Sequence, residues 1–588
     1  TLFRSTASGT RAARSMTFED NIVITLAGAI TVGGTGGTPG IFTPSGKTTA
    51  STVSGAITLA SAATYQNADT TGTLTLSGAQ ALAANTLTKS GAGPVVVSGV
   101  VSGSKAEATN AISVTAGVLS LTGANTFSGD VAVDGSTAVV SISGVTGGAF
   151  TTSSRFGNQT AKYKSVKLTN GGTFRLASSD YNVNTASATN VGAGQVFNIG
   201  TGGGTFDVAS GSTFTLDDGV GAGTAWTNTQ LQGSGTLTKT GAGALSLGNG
   251  GSSNAAFAGQ ILVNAGVLRL GALTAAGVGL GATSANTVIA SGAGLDVTNN
   301  ASTVAEPLSI VGTGVGGTGN AVYTSHATGG IYPGPITLAG NATVGSTAAG
   351  SLTFNGGATI ALGSNILTIR NTNTGRVFTD GVISGTGSVV MNSATAGDYV
   401  PRSDHTYSGG TTLTAGFTAV DRDSIGTPGS PTSGAFGTGT LTLAGGQIRS
   451  GSGASRTVGN AVALTADTTF YTTAVEKTLT MTGPVTMSGG NRIVTSNVGT
   501  TVANTATVFN GAIGDGGNNL GLIKNGNGNL VLGGVNTYTG GTTVNAGNLT
   551  LKGTIPTNTA LTIVPTVAAG ATFTLEGATA NPLTNVSA

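Results

Sequence analysis

Short runs in which apolar and small polar residues alternate recur along the whole chain. Examples are Thr73-Leu-Thr-Leu76, Thr236-Leu-Thr238, Leu245-Ser-Leu247, Val267-Leu-Arg-Leu270, Leu441-Thr-Leu443 and Asn548-Leu-Thr-Leu551. A period of two puts Leu or Val on one face and Thr on the other, and Gly, Asn or Ser-Gly beside each run supplies a turn, so the runs predict strands. No long window carries an apolar stripe at helical spacing backed by Glu, Lys, Gln and Arg, and the glycine load opposes helix throughout. The strands recur too evenly, in a chain of 588 residues, for a single sandwich.

Even recurrence raises the question of internal repeats. Four segments answer one another: NTFSGDVAVDGS at 125–136, NAAFAGQILVNAGVLRLG at 254–271, HTYSGGTTLTAG at 405–416 and NTYTGGTTVNAGNLTLKG at 536–553. Their aromatic positions, Phe127, Phe257, Tyr407 and Tyr538, recur at long and similar steps. A second element precedes each one, marked by Lys89, Lys239, Met391 and Lys524. Two markers kept in one order at comparable steps indicate repeated modules. The expected division is an N-terminal segment 1–86 and modules 87–234, 235–386, 387–521 and 522–588, the last incomplete, all within one continuous solenoid.

The string K-x-G-x-G-x-L-x-L, followed by N-T-Y-x-G-G-T-x-V-x-A-G-x-L-x-L, resembles the passenger-associated β-strand repeat of bacterial autotransporters and related giant surface proteins. The likeness is close at 522–553, good at 235–271 and partial at 87–123 and 405–416. It implies an all-β fold, an elongated right-handed parallel β-helix (β-solenoid), in a secreted and often adhesive protein. It would also imply a terminal membrane β-barrel, yet the C-terminal third lacks a series of amphipathic strands of about ten residues with aromatic girdles. Removal of a barrel, or another route to the surface, accounts for that departure.

The residue types suit such a stack. Coils of roughly 20–25 residues, one strand spacing of about 4.8 Å apart, would give about 25 coils and a rod on the order of 120 Å long. Leu237, Leu245, Leu247, Val263, Leu268, Leu270, Leu530, Leu532, Val544, Leu549 and Leu551 are expected to face inward. Outward Thr fits the pleat through β-branching. Ala-Gly at 265–266 and 546–547 marks corners that need positive φ, and recurrent corner Asn can hydrogen-bond along the axis. Because the repeated aromatic accepts Phe or Tyr, packing is preferred to carbohydrate contact. The repeated Lys, replaced by Met391 in one module, reads as solvated or turn-capping.

Composition narrows the function. Lys+Arg 23 and Asp+Glu 21 make only 7% of the chain, a net charge of +2, which supplies neither a nucleic-acid footprint nor a polybasic membrane patch. With 38% hydrophobic residues, polar disorder is disfavoured. Glycine is abundant, 101 residues, but has no period of three, so collagen is excluded. Zero Cys excludes a disulfide framework and Cys-ligated metal. The start of the chain carries Arg4, Arg11 and Arg14 without the apolar core of a signal peptide, and no stretch reaches the ~18 apolar residues of a membrane helix. A mature or processed piece of a longer precursor, extracellular or at the bacterial cell surface, is the expectation.

Candidate chemistry is sparse. His326 and His405 sit in no metal-spaced motif. The densest polar stretch, GDYVPRSDHTYSGG and then AVDRDSIG, offers Asp398, Arg402, Asp404, His405, Asp421, Arg422 and Asp423. Positions 404 and 421 are about one coil apart, so Asp404 is placed beside Asp421 or Asp423. Paired carboxylates with Arg and His could bind Ca²⁺ or cleave polysaccharide, which makes Asp398, Arg402, Asp404, His405, Asp421 and Asp423 the catalytic candidates. A surface loop that merely holds the local charge is the preferred reading. Asp217-Asp218 and Glu19-Asp20 are adjacent on the chain and so point to opposite faces. Gly33–Gly37 and Gly202–Gly204 lack a following helix and GK[ST], so phosphate binding has no support. The sequons at Asn158 and Asn341 are expected by chance.

These readings favour a non-catalytic structural or adhesive extracellular protein that self-associates end to end into a homo-oligomeric fibre. No cofactor or metal, no nucleic acid and no membrane insertion by this chain are expected; host or environmental surface glycans are candidate partners. The alternative is a polysaccharide-active β-helix lyase or hydrolase using the 398–423 cluster. A carbohydrate-binding module is disfavoured by the single Trp, Trp226.

Overall fold

The structure, a computed structural model, describes residues 11–576 except 19–22, 25–28, 35–37, 47–49, 107, 144–154, 158–163, 185–194, 218–230, 248–256, 271–279, 281–284, 298–305, 318, 394–396, 452, 473–476, 501–503, 555–565 and 568–569. Trp226, the Glu19-Asp20 pair, Asp218, Asn158, Gly36-Gly37 and the two terminal segments lie outside the described residues. The chain forms two compact units, Thr1–Leu295 with Asn300–Glu306 and Asp296–Asn299 with Pro307–Ala588. The division falls inside segment 235–386.

Alternating Leu-Thr-Leu runs become short parallel strands, as their period predicts. In the first unit a representative coil consists of Ile57–Leu59, Ala63–Asn67 and Leu74–Leu76, and the next of Gln80–Ala81, Leu87–Ser90 and Val95–Val97. Each strand pairs in parallel with its counterpart one coil on: Ile57 with Gln80, Ala63 with Leu87 and Leu74 with Val95. All three offsets match the coil length expected from the sequence.

The second unit repeats the scheme. One side is an 11-stranded sheet from Gly330–Tyr332 to Thr566–Val567 and another a six-stranded sheet from Arg456–Val458 to Thr572–Leu575. On the latter, Val458, Met481, Phe509, Leu532 and Leu551 stand in register on five successive strands and all are buried. Among the described residues there is no α-helix, only a single 3-10 turn at Val315–Gly317. The protein is therefore an all-β parallel solenoid.

All eleven side chains expected inside are at most 1% exposed. Each such burial contributes about 1.5–3 kcal/mol against the unfolded chain. The Ala-Gly corners behave as expected: Gly266 has φ 69° and Gly547 φ 67°, and a Cβ on Gly547 would lie 2.5 Å from the Gly528 carbonyl oxygen.

The repeated aromatics Phe127, Phe257, Tyr407 and Tyr538 are fully buried, as a packing role requires. The repeated lysine differs from the solvated alternative. Lys89, Lys239 and Lys524 are 0% exposed, because each stands two positions after an inward Leu and alternation puts it on the same face. Each caps its corner. The Lys524 Nζ donates to the carbonyls of Asn525 (2.9 Å), Gly526 (2.6 Å) and, on the next coil, Ala546 (3.0 Å). Lys89 and Lys239 make the same three bonds. Burial pushes all three amines down to about 8.

One element departs from the parallel stack. Ile425–Thr427 and Ser430–Ser433 form an antiparallel hairpin between the strands Phe417–Val420 and Gln447–Ser450. It lengthens that coil, so that Phe417 pairs with Gln447. Pro428 and Pro431 cannot donate backbone bonds, which fits an edge that must not recruit further strands.

Candidate functional site

The 398–423 cluster lies on the second unit, around the strands Val377–Thr379, Asp398–Pro401 and Phe417–Val420. Period two sends Tyr399 into the core and leaves Asp398 on the outer face, where long side chains fold over it and keep it 5% exposed. The Tyr471 hydroxyl donates to Asp398 Oδ1 (2.6 Å) and Arg449 Nη2 donates to Oδ2 (2.8 Å), with Arg376 Nε 3.4 Å away. Arg449 also donates to the Tyr471 oxygen (3.0 Å), and Tyr471 stands edge-on to Phe417 with centroids 4.9 Å apart. Burial, then the Asp398 charge, raises the Tyr471 phenol well above its usual range, so it stays a donor.

The neighbouring charges form a ladder of opposite signs. Arg402 lies over the Phe378 ring at 3.8 Å and reaches Asp421 (3.5 Å) and Asp380 (3.7 Å). Arg456 holds Asp421 at 2.9 Å and Asp423 at 3.7 Å, and Asp423 accepts the Thr457 N–H at 2.7 Å. Arg422 grips Asp404 through two bonds, 2.8 and 2.6 Å, and these hold the Asp404 carboxyl below its usual range. Asp380 is shifted the other way, raised by burial despite Arg402.

The carboxylate pair expected between Asp404 and Asp421 or Asp423 is thus replaced by arginine contacts: Asp404 goes to Arg422, while Asp421 and Asp423 share Arg456. Among the described residues, no three His, Cys, Asp or Glu side chains come together as a metal centre would need. His405 turns away from the arginine ladder into the coil interior and is 0% exposed. Its Nδ1 accepts the Ile383 N–H (3.1 Å) and its Nε2 lies 3.1 Å from Thr379 Oγ1. Burial pushes its imidazole down to about 3. His326 is exposed, its Nδ1 2.7 Å from Thr328 Oγ1. Asn341 is exposed and accepts the Ile366 N–H.

Sequence reasoning missed Arg376, Asp380, Arg449, Arg456 and Tyr471. The first two were findable: the local coil step carries Val377 onto Tyr399, and the same step carries Arg376 onto Asp398 and Asp380 onto Arg402. The other three lie beyond the hairpin, which breaks the step.

A family model for the passenger-associated-transport-repeat matches the chain at residues 116–136, 237–270, 402–420 and 522–551. The four matches fall on the repeats identified above, and they support an autotransporter passenger repeat protein, a type secreted to the bacterial surface. Comparisons with curated proteins and with solved structures give no match.

Proposed function

We infer that this chain, which carries the repeat of bacterial autotransporter passengers, is a non-catalytic structural or adhesive surface protein whose copies associate end to end into a fibre. The observation that supports the non-catalytic part is the pairing in the 398–423 cluster. Glycan cleavage needs one carboxyl held protonated as the acid, and a second free to act as base or nucleophile. Here Asp404 is held ionised by Arg422, Asp421 lies between Arg402 and Arg456, Asp380, whose carboxyl burial raises, is paired with Arg402, and His405 faces the core. Such pairs brace adjacent coils. The fibre part rests on a property of any solenoid: a terminal coil leaves a row of backbone donors and acceptors unpaired, which a second copy can satisfy. The near-neutral surface favours such contact over mutual repulsion.

Two measurements test this. Incubation with a panel of acidic and neutral polysaccharides should release no new chain ends. Cleavage that disappears in the Asp404→Ala, Asp421→Ala double variant would replace the inference with a polysaccharide-active enzyme. Sedimentation and electron microscopy over a concentration series should show species that lengthen with concentration, and monomers at every concentration would remove the fibre.

A further inference from the structure

We propose that His405 is an acid-sensitive latch for the hairpin of residues 424–434, whose protonation opens that segment while the coils around it stay closed. The repeats themselves isolate this residue. Asn125-Thr-Phe127, His405-Thr-Tyr407 and Asn536-Thr-Tyr538 occupy one position of three modules. Asn125 Oδ1 accepts the N–H of Val101 (2.8 Å) and Asn536 Oδ1 that of Ile513 (3.0 Å), each on the preceding coil. His405 Nδ1 accepts the N–H of Ile383 in the same way, at 3.1 Å. An amide oxygen cannot titrate there; an imidazole nitrogen can.

The donor pointing at Nδ1 fixes the ring as the Nε2–H tautomer, which donates to Thr379 Oγ1. A proton on Nδ1 would set two donors against each other at 3.1 Å and place a charge in a fully buried site. The groups facing the ring offer little compensation. Tyr407, with centroids 6.2 Å away, and Tyr399 are buried phenols raised above their usual range by burial. Asp404 next to it is engaged by Arg422, and Asp380, just past Thr379, by Arg402. From the hairpin side, Asp421 and Asp423 are taken by Arg456.

The backbone of the same residue holds the hairpin. His405 N–H donates to the Gly434 carbonyl (3.0 Å) and Gly434 N–H to that of His405 (3.1 Å), an antiparallel bridge at the hairpin base. Further backbone ties to the stack run from Ser424 N–H to Thr457 (2.9 Å) and from Gly429 N–H to Gly459 (2.7 Å). A ring expelled from the core therefore takes the anchor at the hairpin base with it. Since the folded site resists the proton, its contribution is full above the free imidazole value of about 6.5 and is lost as pH falls below it.

The test is hydrogen exchange by mass spectrometry on the full chain, corrected for intrinsic rates, at about pH 6.0 and 5.0, where carboxylates of ordinary acidity stay ionised. One-proton linkage predicts an opening constant for peptides covering 424–434 that rises about eightfold over that unit, with the reference strands Leu522–Asn525 and Asn529–Leu532 unchanged. His405→Asn, the residue the other modules use, should abolish the rise. His405→Gln, which also accepts and donates without titrating, serves if the Asn variant folds poorly. A flat wild-type response, a rise shared by the reference strands, or an unchanged rise in the folded variant would overturn the latch.

Discussion

The Tyr538–Thr542 pair gives the sharpest quantitative prediction. In the second unit, Tyr538 and Thr542 share a buried hydrogen bond of 2.6 Å, and Tyr407 and Thr411 share a similar one. In the first unit the same two positions hold Phe127 with Val131 and Phe257 with Ile261, all 0% exposed. The repeat thus tolerates a hydroxyl pair or an apolar pair. A mixed pair strands one hydroxyl in a dry interior, at about 1–3 kcal/mol. Tyr538→Phe and Thr542→Val should each lower the opening free energy of the 522–551 coils by about 1–2 kcal/mol. The double variant should lie within about 1 kcal/mol of wild type, because removing both partners costs only the net worth of one bond. The coupling between the sites is then about 1–3 kcal/mol. Hydrogen exchange at local amides is the assay, since a chain of two compact units need not unfold in one step. The mirror experiment runs in the first unit: Phe127→Tyr should destabilise and Val131→Thr should rescue it. Additive single effects with no coupling would refute the reasoning.

Three further outcomes follow from other contacts. Lys524→Met, copying the residue the third module uses, removes three carbonyl bonds but also an ammonium desolvated enough to sit at about 8, and should leave a net loss of about 2 kcal/mol by exchange at local amides. In wild type the unfolded amine, near 10.4, binds the proton more tightly than the folded one, so local stability should rise between about pH 8 and 10.4, a slope absent in the Met variant. Asp398→Ala leaves Arg449 buried without its partner and should cost about 3–5 kcal/mol, measured by exchange in the strands Asp398–Pro401 and Gln447–Ser450, whereas Arg422→Ala at the exposed pair with Asp404 should cost under about 1 kcal/mol. Gly547→Ala, at φ 67° with a carbonyl 2.5 Å from the new Cβ, should cost more than about 2 kcal/mol in the same assay.

Most of the fold was legible because it is carried by local signals. Leucine–threonine alternation assigned each strand its inner face, Ala-Gly marked the corners, and the coil length expected for such a stack agrees with the observed pairing of Ile57 with Gln80, Ala63 with Leu87 and Leu74 with Val95. The lysine shows the same parity rule underused: its place two positions after an inward leucine already puts it inside, where three carbonyls replace water. The candidate site was less legible. Asp398 meets Arg449 and Tyr471 at sequence separations of 51 and 73, each longer than two or three of the local steps that carry Val377 onto Tyr399, because the hairpin adds length between them. His405 was visible as a histidine, but its role emerges only when its Nδ1 is seen in the place of an asparagine oxygen.

Stacking in register is the claim on which the braces, caps and latch all rest, and spin-label distances test it most directly. Thr457, Thr480, Val508, Val531, Thr550 and Thr574 pair in succession on six parallel strands, and Thr457, Thr480 and Thr574 are partly exposed. The chain has no native cysteine to interfere. At about 4.8 Å per strand, labels at 457 and 574 should report backbone separations of roughly 24 Å, and labels at 480 and 574 roughly 19 Å. A difference of one strand spacing between the two pairs is the expected result. Distances that are broad, or that grow with sequence separation rather than with coil number, would contradict the stack.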